Sequence, residues 1–271
     1  MRSLGIDLAA EPPNTAACEI TWTAKKAQGR LYTDRLDDHE LLTLIETADK
    51  VGIDCPFGWP QPFIDAVTAH ANAAAWSGRG QLGSTHRRSL RYRLTDEVVH
   101  QQVGIWPLSV STDRIGVTAM RCAALLDALA AAGHPVDRAG GGRVVEVYPA
   151  AALKHWGLPH QGYKKAEGAI VRGQALDQLL AELPTLILDR DALTRCRHSD
   201  DAFDALICSL VARAAGLDRT TGPCTDNQTE RARVEGWIHL PTSDIPGLQL
   251  SDLDAQRGAV DPGSSRTEPY R

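Results

Sequence analysis

The chain has 271 residues, 43% of them hydrophobic, enough to bury a substantial core in one large domain or a domain with insertions; two equal domains fit less well. Its formal net charge of −5, from 29 Lys+Arg against 34 Asp+Glu, gives no global attraction to phosphate, so a nucleic-acid partner needs a local basic patch. The six cysteines include no C-x-x-C pair, which argues against a structural zinc site and a disulfide scaffold; with no signal-peptide core and no apolar run near the roughly 18 residues of a membrane helix, the expectation is a soluble, cytoplasmic protein without membrane contact.

Residues 3–8, 15–23 and 29–35 read as three consecutive strands, the first ending near Asp7. Asp37 or Asp38 then caps a helix carrying Leu41, Leu42, Leu44 and Ile45, and residues 51–54 form a short strand stopped by Pro56, Gly58 and Pro60. Three strands before the first helix is an uncommon order and narrows the fold. Residues 60–112 read as an insertion, with a helical stretch over 63–76, a Gly-rich basic loop over 78–93 and a short helix near 97–103. Ile115, Ala119, Cys122, Leu125, Leu126 and Leu129 mark an amphipathic helix closed by Gly133, and a strand over 143–148 follows the glycines 140–142. A second insertion, 150–193, is mostly helical by composition. It leads to the best-patterned helix, 199–215, with Phe203, Leu206, Ile207, Leu210, Val211 and Ala214 at helical spacing. Residues 236–238 read as a late strand, and the Asp, Ser, Pro and Gly content of 242–271 predicts a poorly ordered tail. The expected architecture is α/β over residues 1–241: a mixed five-stranded sheet flanked by helices, with helical insertions.

The acidic residues recur at one kind of place in this order. If the first and fourth strands are parallel neighbours, Asp7 and Asp54 lie side by side at their C-terminal ends. Asp201 and Asp204, spaced i and i+3, share a face of the last helix that reaches the same edge, with His198 roughly in line. Carboxylates held that close raise one another's pKa unless a cation neutralises them. Mg²⁺ or Mn²⁺ on Asp7, Asp54, Asp201 and Asp204 is the natural occupant, and two such ions suit phosphodiester hydrolysis. Glu146 and His198 are supporting catalytic candidates, each with a plain alternative: a salt bridge to an arginine, and a solvated helix-start histidine. Arg87, Arg88, Arg91 and Arg93, beside His86, form a basic run suited to a phosphate backbone, and Lys164 and Lys165 are further candidates; a solvated charged surface is the alternative for both. The tryptophans at 59, 76, 106, 156 and 237 read as packing residues.

Five phrases together resemble domain-of-unknown-function family 429, described as predicted nucleases with an RNase H fold. They are Gly5-Ile6-Asp7-Leu8-Ala9, Gly52-Ile53-Asp54-Cys55-Pro56-Phe57-Gly58, Arg93-Leu94-Thr95-Asp96, Glu146-Val147-Tyr148-Pro149 and Asp201-Ala202-Phe203-Asp204-Ala205-Leu206, and the resemblance spans roughly residues 3–241. His198-Ser199-Asp200-Asp201-Ala202 is also similar to the last motif of RuvC-like nucleases, in which a His three residues before an Asp serves the site. The resemblance implies an RNase H-like core and a divalent-metal-dependent nuclease acting on DNA or RNA. It departs at Asp54, where RuvC-like enzymes usually carry Glu. Two other classes stay open. A phosphotransferase or ATPase of the actin and sugar-kinase type shares that core, although Ala9-Ala10-Glu11-Pro12-Pro13 offers no glycine for a phosphate-cradling hairpin. A catalytically silent interaction module could keep the same scaffold.

Overall fold

The computed structural model describes residues 1–249 except Leu82 and Ala166. In chain order its first half comprises β1 (Arg2–Asp7), β2 (Ala16–Trp22), β3 (Ala27–Tyr32), α1 (Asp38–Thr47), β4 (Lys50–Asp54), α2 (Gln61–Ala71), α3 (Ser84–Arg91), α4 (Leu94–Val103) and α5 (Gly116–Ala131). There follow β5 (Val144–Glu146), α6 (Pro149–His155), α7 (Ala169–Glu182), β6 (Leu186–Ile187), α8 (Arg190–His198), α9 (Asp200–Gly216) and α10 (Asp226–Glu235).

The strands form one sheet in the order β5-β4-β1-β2-β3-β6. β2 runs antiparallel to both β1 and β3, whereas the β1–β4, β4–β5 and β3–β6 pairs are parallel. The sheet therefore has six strands where the sequence predicts five. The extra one, β6, is two residues long and lies inside the second predicted insertion; so short a strand carries no alternation, and only its pairing with Ala27 and Gln28 defines it.

Alternation along β1 sorts its neighbours. Leu4 and Ile6, with Val51 and Ile53 of β4, face a layer formed by Leu41 and Ile45 of α1 and by Ala119, Cys122, Leu125, Leu126 and Leu129 of α5. Asp37 starts α1 with a reciprocal capping box: its carboxylate accepts from the Glu40 amide and the Glu40 carboxylate from its own. On the opposite face α9 lies across β1, β2 and β4 and packs with α6, α7 and α8 through Phe203, Leu206, Leu210, Leu153, Leu176 and Leu179. α9 is buried on almost every side from Ala202 to Ala215. Its alanines suit a central helix, since they cost no side-chain entropy and let neighbours close in.

That closeness is extreme at two points. A Cβ on Gly5 would lie 2.0 Å from the Ala205 carbonyl oxygen and 2.1 Å from the Ser209 nitrogen, and one on Gly52 would lie 2.5 Å from the Cys208 carbonyl oxygen. Gly5 and Gly52 are register partners across β1 and β4, as are Asp7 and Asp54 two residues on. Residues i and i+2 share a sheet face, so the glycines admit the helix backbone and place both aspartates beneath its N-terminal end. One pleat earlier, Ser3 Oγ meets Ser209 Oγ at 3.0 Å and accepts the Trp22 indole N–H at 2.8 Å.

Other regions depart from the sequence reading. His198 is not in line with the last helix: it closes α8, and Ser199, extended at φ −113° and ψ 127°, separates α8 from α9. Residues 236–238 contribute an isolated parallel bridge, Glu146 with Ile238. Residues 242–249, read as the start of the tail, instead place Ile245 and Leu248 in the core beside α9 through a 3-10 turn at Pro246–Leu248, while 250–271 lie outside the described residues. Among the described residues no helix is long and apolar enough to cross a membrane.

Candidate metal centre

Asp7 ends β1 and Asp54 ends β4, side by side in register. α9 begins at a Ser199 cap, whose hydroxyl accepts the Ala202 amide at 3.2 Å, so its positive dipole end and its first-turn Asp200 and Asp201 sit at the same edge. Asp204, one turn further, is fully buried. Asp7, Asp54 and Asp204 each offer an oxygen within 4.8 Å of the others.

A cation is already present among them. Lys164, from the loop between α6 and α7, places its ammonium 2.6 Å from Asp204 Oδ2 and 3.5 Å from Asp54 Oδ2. The Tyr163 hydroxyl donates to the same Asp204 Oδ2 at 3.3 Å. Asp204 Oδ1 is buried and has no hydrogen-bond partner among the described residues. A buried, unpaired carboxylate oxygen is costly, and hard divalent cations with oxygen ligands remove that cost; the donor set fits Mg²⁺ or Mn²⁺.

The electrostatics point the same way. Burial, then the charges of Asp204 and Asp54, hold the Asp7 carboxyl well above the usual range against the pull of Lys164. Burial raises Asp54 despite the opposing Lys164. Asp204 is pushed up to about 7, by burial first, with Lys164 opposing and Asp54 adding to the rise. Burial works against the Lys164 ammonium, but Asp204 and Asp54 outweigh it and hold its pKa well above the ordinary lysine value. One ammonium opposes the rise at all three carboxyls without cancelling it, so a further positive charge would relieve them.

The remaining candidates divide. Asp201 is half-buried and raised by burial and by Asp200, with a hydrogen bond to Asp7 acting against the rise; it also lines a cavity of about 190 Å³ with Asn14, Thr15, Thr33 and Arg195. His198 is exposed, and its Nδ1 lies 2.8 Å from the Thr194 carbonyl of its own helix. Glu146 belongs to a second buried cluster: its oxygens accept from Arg93 Nη2 at 2.7 Å and Nη1 at 2.9 Å, and from the Phe57 amide at 3.0 Å. Arg93, expected on a nucleic-acid surface, is only 1% exposed, because Asp96 and Glu146 hold its guanidinium in the interior. Arg87, Arg88 and Arg91 are exposed and line an open hollow of about 820 Å³ with Ser84, Thr85 and Tyr92. Arg88 lies over the Trp106 ring and pairs with Glu97; Arg91 lies over Tyr92 and pairs with Asp113. Lys164 and Lys165 are both exposed, the Lys164 side chain by 47%, but only Lys164 reaches the carboxylates.

The sequence reading assigned no role to Tyr163 or Arg172. Tyr163 carried a signal only as an aromatic beside two lysines; Arg172 carried none, since its three backbone partners are made by the fold. No curated protein and no solved structure matched the chain. The sequence model of the family described as "Protein of unknown function (DUF429)" matches residues 5–229, a span that holds all four aspartates and both Gly5 and Gly52. The chain belongs to the DUF429 family.

Proposed function

We propose that this protein is a divalent-metal-dependent nuclease with an RNase H-like core that hydrolyses phosphodiester bonds of DNA or RNA. One observation carries the reading: Asp7, Asp54 and Asp204 converge from two parallel strand ends and a helix, leaving a buried oxygen of Asp204 without a partner among the described residues. Structural carboxylate clusters are satisfied within the protein; one left short of positive charge is arranged for a cation.

Asp7, Asp54 and Asp204 would hold Mg²⁺ or Mn²⁺, with Asp201 beside them. Bound there, such an ion lowers the pKa of a coordinated water and stabilises charge on phosphate. In hydrolysis the water oxygen bonds to phosphorus, the bond to the leaving sugar oxygen breaks, and the two water protons pass to that oxygen and to solvent. The chain's own groups prepare this step. Tyr163 and Lys164 fix the Asp204 carboxylate, and the α9 N-terminus favours the anionic substrate. Arg87, Arg88, Arg91 and Lys165 are the proposed contacts to flanking phosphates. Six free cysteines, five of them buried, accord with a reducing, cytoplasmic setting.

The test is cleavage of labelled single-stranded, duplex and branched DNA and RNA with Mg²⁺, Mn²⁺ or EDTA, by wild type and by Asp54→Asn. Metal-dependent cleavage that disappears in the variant is expected. Equal cleavage by both proteins, or none of any substrate by a folded wild type, would overturn the reading.

A further inference from the structure

We infer that the centre takes a single divalent ion and that the Lys164 ammonium is its second cation. The inference rests on the metal-centre reading above and refines it, since the sequence alone suggested two ions.

Two-ion hydrolysis needs both cations about 3.5–4 Å apart, joined by shared carboxylates. Here the position between Asp54 and Asp204 holds the ammonium, at 3.5 and 2.6 Å. The two oxygens of Asp204 are differentiated: Oδ2 already receives Lys164 and Tyr163, and Oδ1 receives nothing from the described residues. Asp204 thus has one oxygen to offer a metal, and its other oxygen is bound to a positive charge the chain supplies.

The Lys164 side chain is 47% exposed, but the backbone that carries it is anchored. Tyr163 before it is 2% exposed, and its ring meets Phe203 edge-on, with centroids 6.0 Å apart. The buried Arg172 guanidinium donates to the Tyr163 carbonyl, to Arg197 O at 3.1 Å and to His198 O at 3.0 Å. Arg172 therefore ties the Lys164 loop to the end of α8, immediately before the helix that carries Asp204. The loop also closes on itself, Lys165 N donating to Gly162 O at 3.0 Å and Gly168 N to Lys165 O at 2.8 Å. With its backbone held, the ammonium remains at the carboxylates when an ion arrives, and it can donate to a phosphate oxygen on the side the ion does not cover. An ammonium cannot be removed by a chelator, so one of the two cations at this centre belongs to the polypeptide.

The deciding measurement is Mn²⁺ stoichiometry, by calorimetry and by the loss of the free-Mn²⁺ electron paramagnetic resonance signal, on wild type, Lys164→Met and Lys164→Arg, with circular dichroism confirming the fold of each. Wild type and Lys164→Arg should each take about one ion per chain, and Lys164→Met about two, the second entering the vacated position. At saturating Mn²⁺, Lys164→Met should cleave at least about tenfold more slowly, with Lys164→Arg retaining most of the rate. Two ions in wild type would overturn the inference and leave the metal-dependent reading standing. No bound ion in folded wild type would overturn both. Unchanged stoichiometry in a folded Lys164→Met variant would show that Lys164 holds no cation position.

Discussion

Two ionic clusters, one buried and one open to solvent at its lysine, share the strand-end edge of the sheet, built from the same ingredients in different proportion. Around Arg93, the carboxylates of Asp96 and Glu146 and the backbone carbonyl of Glu235 take all the guanidinium's contacts, at 2.7–3.3 Å. Glu235 in turn accepts the Gln61 amide at 2.6 Å and the Leu94 amide at 2.8 Å. None of these carboxylate or guanidinium atoms is left unsatisfied. Around Asp204, three carboxylates gather at one ammonium that pairs with two of them, and an oxygen has no partner among the described residues. A cluster that closes on itself holds α4, α10 and β5 together; one that does not close is where a ligand belongs.

Substitutions should separate the two clusters by what they break. The largest effect is expected at the open one: Asp54→Asn or Asp204→Asn should lower metal-dependent cleavage by about 10³-fold or more, on the order of 4 kcal/mol of barrier, while circular dichroism stays unchanged. At the closed cluster, Arg93→Met strands two buried carboxylates and should cost about 3–5 kcal/mol in urea unfolding. A loss under about 1 kcal/mol there would mean that the cluster is not the clasp described.

The open cluster should respond to Asp7→Asn in the opposite sense. Carboxyls with folded pKa values above their unfolded values take up protons on folding, so the stability they give is full at low pH and lost as pH rises through the folded value, about 7 for Asp204. Metal-free wild type should therefore carry a penalty at pH 8 that Asp7→Asn relieves by roughly 1–2 kcal/mol, raising Tm by about 2–4 °C per kcal/mol. The gain should fade as pH falls below about 7, where Asp204 takes up its proton, and shrink when Mg²⁺ is added to both proteins. A variant less stable than wild type at pH 8 would contradict the electrostatic account. Smallest of all, Arg88→Ala or Arg91→Ala should weaken nucleic-acid binding a few-fold and reduce its salt slope by about 1 each, with cleavage per bound complex unchanged.

Much of this arrangement was legible because it is local or periodic. The strands ending in Asp7 and Asp54 follow from alternation and turn residues, and the shared face of Asp201 and Asp204 from a spacing of three. What escaped depends on partners far apart in the chain. Glu146 could be read as catalytic or paired until Arg93, 53 residues away, was placed against it. Lys164 could be read only as a phosphate contact or a solvated lysine, because its pairing arises only when a loop is tied 40 residues ahead to Asp204. The helix break after His198 was hidden because Ser199 caps one helix while ending another, and a serine within a polar stretch does not announce both. β6 is simply too short for a pattern.

The glycines at 5 and 52 bear on how this centre tolerates change. Helix and sheet here touch main chain to main chain, so the spacing of Asp204 from Asp7 and Asp54 is set by bond lengths and angles and not by the volume of packed side chains. Drift in the surrounding core can therefore raise or lower stability without retuning the aspartates. The smallest addition of all, one methyl group at Gly5, would pry the helix off its bed and dismantle the centre with every charged residue still in place.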